Sequence, residues 1–176
     1  MRHFALTFLV AIAILALSSS GSRAEPVVST PQAVVITIER DSATAPDTLF
    51  DLMASPRLWW SNDHTWSGDA ANMTLDARAG GCWCEVVAGG PSVEHGRVLN
   101  FDRRRRTIVF DASLGPLQTE AIAARLQWQV VARDGGGSRV VWRYRFIVPD
   151  GAGAGLGPIV EQVLTQQVER LVAPRP

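Results

Sequence analysis

Apolar and polar positions alternate first at Val34, Ile36 and Ile38 against Val35, Thr37 and Glu39, which predicts a strand. Thr44-Ala45-Pro46-Asp47 then opens a helix, with Thr44 as its cap, Pro46 in the first turn and Asp47 where the dipole favours an acid. Leu49, Phe50, Leu52 and Met53 supply that helix with an apolar face, and Ser55-Pro56 ends it. Pro56 to Trp60 reads as a second short helix, and Ser61 to Ala71 as irregular chain. From Met73 the period falls to two. Strands are expected at Met73–Ala77, Cys82–Val87, Val93–Phe101, Arg106–Ser113, Ala121–Ala132 and Arg139–Val148. The breaks between them carry turn residues, among them Gly80-Gly81, Gly89-Gly90-Pro91 and Asp134-Gly135-Gly136-Gly137, so the strands form an antiparallel meander.

The last two strands have the clearest faces. Trp142, Tyr144 and Phe146 share one side and Arg143 and Arg145 the other; Leu126, Trp128 and Val130 oppose Arg125, Gln127 and Gln129. One face is wet and one is covered. The cover comes last: Ile159, Val160, Val163, Leu164, Val168 and Leu171 follow the 3.6 period of an amphipathic helix. Pro158 is expected at its first turn, after a loop rich in glycine (Gly151, Gly153, Gly155, Gly157) that reads as a hinge. The order is strand, two short helices, six strands and one long helix.

The first 24 residues stand apart. Arg2 and His3 precede an uncharged apolar run, Phe4 to Leu17, and small residues follow up to Ala24. This describes a secretory signal peptide cut after Ala24, with Ser22 at −3. At ~1.5 Å per residue the run covers only ~21 Å of a ~30 Å hydrocarbon core, so no stable membrane insertion is expected after cleavage. Residues 25–32 read as a flexible lead-in and residues 33–172 as a single domain of a periplasmic or secreted protein. Apolar residues make up 47% of the chain, which argues against disorder. Acidic and basic residues balance at 17 each, which argues against a nucleic-acid partner. Every basic residue is arginine, a composition found in GC-rich bacterial genomes.

Candidate chemistry is sparse. Cys82 and Cys84 in a regular strand stand roughly 6.5–7 Å apart at Cα, at or beyond the disulfide limit, so two buried free thiols are expected. A metal site from Cys82, Cys84 and His95 lacks the usual ligand spacing, and none is expected. His64 beside Asp63 could act as acid or base, but reads first as a polar loop pair. His95 reads as a hydrogen-bonded structural histidine. Arg103-Arg104-Arg105-Arg106 reads as a solvated hairpin tip, with a phosphate or anionic lipid contact as the alternative. Arg97, Asp111 and Glu120 are the polar groups that strands could aim inward, where an Arg97–carboxylate pair would orient a polar ligand head.

The element order resembles the START/Bet v 1-like (SRPBCC) superfamily, in its activator-of-Hsp90-ATPase-like and polyketide-cyclase-like branches. The resemblance rests on Glu39-Arg40 ending a strand, Thr44 to Leu52 as the first helix, and Ser55-Pro56 with Trp59-Trp60 after it. Gly80-Gly81-Cys82-Trp83, Gly96-Arg97-Val98 and Asp102 to Arg106 complete it. It covers roughly residues 33–172. It implies an α+β helix-grip fold, a curved antiparallel sheet around a long C-terminal helix, with a cavity for an apolar ligand between them. Trp59, Trp60, Trp66, Trp83, Phe110, Trp128, Trp142, Tyr144, Phe146 and Val163 are the expected lining, with His64, Arg97, Asp111 and Glu120 as possible polar contacts. The expected partner is a small hydrophobic molecule or lipid, without a cofactor. No residues map onto a catalytic branch. A cyclase, dehydratase or hydrolase using the same cavity, or a protein-interaction module, is the alternative.

Overall fold

The computed structural model describes residues 28–29, 32–120, 122–148 and 153–175. Residues 1–24, expected to form a signal peptide, and Gly151 lie outside the described residues. Eight antiparallel strands form one sheet: β1 (Val28–Ser29), β2 (Ala33–Ser42), β3 (Met73–Leu75), β4 (Cys82–Val86), β5 (Ser92–Asp102), β6 (Thr107–Asp111), β7 (Ala123–Ala132) and β8 (Ser138–Ile147). Their order across the sheet is β1-β2-β8-β7-β6-β5-β4-β3, so the chain's first long strand closes against its last. Among the described residues two α-helices complete the fold, α1 (Pro46–Met53) and α2 (Gly153–Val172). α2 packs over β2 and β8 and touches α1. This is the helix-grip α+β arrangement that the family resemblance implies.

The inward faces are those the alternation assigns. Val34, Ile36 and Ile38 of β2, Leu126, Trp128 and Val130 of β7 and Trp142, Tyr144 and Phe146 of β8 are all buried. Leu164, Val168 and Leu171 of α2 and Leu49, Phe50 and Met53 of α1 close the core from the other side. Three local expectations change. Thr44 does not cap α1: Ala45 holds that position without a side-chain bond. Thr44 is instead pinned through its backbone, its N–H donating to Ser42 Oγ and its carbonyl accepting from Ser138 Oγ. The second short helix is a single 3-10 turn, Pro56–Leu58. The glycine-rich segment is not a hinge loop from Gly153 on, because α2 begins there and Pro158 lies inside it. Pro158 lies past the N–H groups at the helix start that have no intrahelical partner, so it forfeits one backbone bond.

The arginine turn is bound to the fold. Arg103 makes two bonds to the Asp51 carboxylate, Arg106 Nε donates to Asp47 at 2.6 Å, and Arg105 pairs with Asp102. Arg106 holds its left-handed backbone, φ 49°, while making this contact. The turn therefore clamps α1 to the sheet. Asp47, with Arg106 against it, sits below the usual carboxylate range.

Cys82 and Cys84 are not free thiols. A disulfide joins them, with Cα atoms 5.3 Å apart. The register between β4 and β5 slips here: Trp83 faces Gly96, while Cys84 faces Glu94. The two cysteines thus stand closer than the regular strand spacing that would hold the sulfurs apart, and the extra residue of the β-bulge lies on β5 opposite them. The bonded sulfurs are also unavailable as thiolate ligands. Among the described residues no group of three or more His, Cys, Asp and Glu gathers as a metal site would require.

Candidate binding cavity and its buried carboxylate

Seven of the ten proposed lining residues pack with Trp60 into a solid aromatic core, rather than around a hollow. Trp128 stacks on Trp142 at 4.8 Å and meets Trp83 at 4.9 Å and Phe110 at 4.7 Å. Trp59 packs edge-on against Trp128 and Trp142, and Trp60 edge-on against Trp83. Tyr144 and Phe146 pair with one another and are equally buried. Rings of this size at these separations leave no lining surface, so Trp59, Trp83, Phe110, Trp128, Trp142, Tyr144 and Phe146 do not line the cavity. Tyr144 has a positioning part: its hydroxyl donates to Ala112 O at 2.8 Å and accepts from the Leu114 N–H, which holds the start of the loop beside the cavity. Burial pushes this phenol well above the usual range.

The cavity lies beyond the aromatic core, towards the N-terminal half of α2. It has a volume of about 400 Å³. One wall is α2, with Leu156, Ile159, Val160, Val163 and Leu164. A second is the loop from Leu114 to Leu117, and a third is the chain from Trp60 to Trp66. Trp66 and Ile159 border it and are themselves 54% and 60% exposed, an apolar rim on a polar surface. Of the proposed residues, Trp60, Trp66, Val163 and His64 stand around this space.

Side chains of α2 hold the third wall in place. Gln167, fully buried, accepts from the Ser61 N–H at 2.8 Å, and Arg170 Nε donates to Trp59 O at 3.0 Å. His64 Nε2 lies 2.9 Å from Gln166 Oε1. His64 is therefore paired with a glutamine of α2, not with Asp63.

The remaining polar candidates face elsewhere. Arg97 is exposed and paired with Glu94, Asp111 is exposed and paired with Arg125, and Glu120 is exposed. Arg97 and Asp111 are cross-strand neighbours on the outer face of the sheet, so no Arg97 pair reaches the cavity. Asp111 lines a second, open and polar cleft with Glu94, Ser113 and Gln118.

An unanticipated pair, Glu85 and His95, carries the buried polarity of the site. Glu85 is 1% exposed and His95 4%. His95 Nε2 lies 3.0 Å from Glu85 Oε2, and the backbone N–H groups of Trp66 and Ser67 donate to the same carboxylate. Burial alone would raise the Glu85 carboxyl, but these donors from Ser67, Trp66 and His95 outweigh it and hold it below the usual range. For His95, burial prevails over the attraction of Glu85 and keeps the imidazole below its ordinary value. A neutral ring and an ionised carboxylate result near pH 7. His95 borders both the apolar cavity and the polar cleft.

The bulge accounts for this placement. Strict alternation puts His95 on the face of Arg97, outside. Because Gly96 pairs with Trp83 and Glu94 with Cys84, His95 is the extra residue and turns inward. Only glycine suits the next position: a Cβ on Gly96 would stand 2.9 Å from Ala112 Cβ and 3.2 Å from Asp111 O. Glu85 was legible in principle, since it shares the inner face of β4 with Trp83.

Comparison with known proteins agrees with this fold. Among solved structures, a Thermobifida fusca protein superimposes with a TM-score of 0.57 at 17% identity, over 78% of this chain and 92% of its own. A Mesorhizobium loti protein gives a TM-score of 0.55 at 15% identity, over 78% and 93%. Norcoclaurine synthase from Thalictrum flavum gives 0.54 at 16% identity, over 82% and 94%. No curated protein matches the chain in sequence at a significant level. The family model described as "Polyketide cyclase / dehydrase and lipid transport" matches residues 33–174, and the chain belongs to that family.

Proposed function

We propose that this protein is exported and binds a small apolar or lipid-like molecule in the cavity beside α2. The observation that carries the reading is an apolar space of about 400 Å³ with an exposed Trp66 and Ile159 at its rim. That volume falls among those of small-molecule sites, which run from ~300 to ~1,000 Å³. Burial of ligand surface, at ~25 cal/mol per Å² before association costs, drives the binding. The family description, which names lipid transport beside cyclases and dehydrases, supports the same reading.

The test is titration with the apolar fluorophore N-phenyl-1-naphthylamine. The wild type is expected to bind and enhance its emission. Val163→Trp, which fills the space from the α2 wall, is expected to weaken binding about tenfold or more. Unchanged affinity in Val163→Trp, or no binding to the wild type, overturns the reading.

Export is supported by the basic start and apolar run before Ala24, and a Cys82–Cys84 disulfide suits an oxidising compartment. Expressed from its full reading frame in a bacterial host, the protein is expected outside the cytoplasm with an intact mass that begins at Glu25. Full-length chain retained in the cytoplasm overturns export.

A further inference from the structure

The cavity is not uniformly apolar, and its polar feature has a defined direction. The Glu85 carboxylate can only accept hydrogen bonds, and it already accepts from the Trp66 and Ser67 backbone. His95 Nε2, 3.0 Å away, must therefore carry the ring proton and donate it. Among the described residues nothing bonds to the other ring nitrogen, Nδ1, which keeps its lone pair. The ring is held against Trp83, with centroids 5.3 Å apart, and cannot turn without breaking the Glu85 contact. The other polar side chains about the cavity are committed or peripheral. Thr65 donates to Asn62 O, His64 meets Gln166, and Asp63 is exposed.

We propose that His95 Nδ1 is the ligand-orienting acceptor of the cavity, selecting apolar molecules that carry a hydroxyl over the same molecules without one. This rests on the reading of the cavity as a ligand site. Glu85 is then a positioning residue: it touches no ligand and fixes which nitrogen is the acceptor. An ether or hydrocarbon that covers this nitrogen displaces water from it and returns no donor, so the preference arises from both sides of the comparison.

The experiment compares 2-naphthol with 2-methoxynaphthalene, which share a ring system and differ in the donor. Dissociation constants are measured by quenching of tryptophan emission in the wild type and in His95→Phe. The wild type at about pH 7 is expected to hold the naphthol about tenfold more tightly, equivalent to ~1.4 kcal/mol. His95→Phe is expected to bring the naphthol to the level of the ether, while its affinity for the ether shows that the cavity has survived.

Acid gives a check without substitution. Protonated His95 has a donor at both nitrogens, so the preference is expected to vanish, and burial places that change below the ordinary histidine value of 6.5. The titratable and charged groups around the ring are Glu85 on β4, Glu94 and Arg97 on β5, Asp111 on β6, and Asp63 and His64 on the turn after Trp60. Equal affinities in the wild type, or a preference that persists in His95→Phe, overturn the inference and leave the cavity reading standing. Failure of both naphthalenes to bind overturns the two together.

Discussion

Glu85→Ala is expected to destabilise the protein by about 3–5 kcal/mol, because it removes one acceptor from three donors at once. The Trp66 and Ser67 N–H groups and His95 Nε2 all converge on this carboxylate. Each donor left unsatisfied costs about 1–3 kcal/mol, and water reaching the partly exposed Trp66–Ser67 segment keeps the total below the simple sum. Glu85→Gln retains one oxygen and is expected to cost about half as much, since only some of the donors lose their partner. Acid should act in the same direction. The carboxyl is held below its ordinary value of 4.5 in the folded chain, so its contribution is present above that value. It is lost as the pH falls through the lower, folded-state value. Denaturant unfolding of the three proteins near neutral pH checks the order, and a loss of less than about 1 kcal/mol in Glu85→Ala refutes the account.

Trp128→Ala is expected to cost about 3–5 kcal/mol for a different reason, the cavity it opens. Trp128 contacts Trp59, Trp83, Phe110 and Trp142, so its truncation takes a shared neighbour from four rings. Trp128→Phe should be milder, at about 1–2 kcal/mol, because it removes part of the ring and breaks no hydrogen bond. The Trp128 indole N–H is buried without an acceptor, as are those of Trp83 and Trp142. Such groups cost stability, so the packing of this cluster must offset them. Guanidinium unfolding ranks the variants; equal losses for alanine and phenylalanine would refute the cavity account.

The sequence periods made the fold readable but left depth undetermined. Alternation on β7 and β8 correctly turned Trp128, Trp142, Tyr144 and Phe146 towards the helix. Nothing in a period of two says whether a ring facing inward meets a ligand or another ring. That depends on how many bulky side chains converge from different strands, and here Trp59 and Trp83 arrive from elsewhere and fill the middle. The space that remains lies where the partners are smaller, Val160, Val163 and Leu164 of α2 among them. Parity failed for the cysteines: it kept Cys82 and Cys84 apart, where the structure joins them. The slip opposite Cys84 gives His95, expected as a hydrogen-bonded structural histidine, its place beside Glu85. Arg97 and Asp111, expected as groups that strands could aim inward, face solvent as paired surface charges.

That slip has a bearing on how such a protein changes over time. Substituting a wall residue alters size or polarity by degrees. Deleting Glu94 would restore regular pairing, set His95 opposite Cys84 and rotate the imidazole to the opposite side of the sheet. The pocket would lose its basic nitrogen in one event, with every other wall residue untouched. A one-residue change of register here, like a point change at His95, would thus switch the chemistry of the wall on an unchanged scaffold.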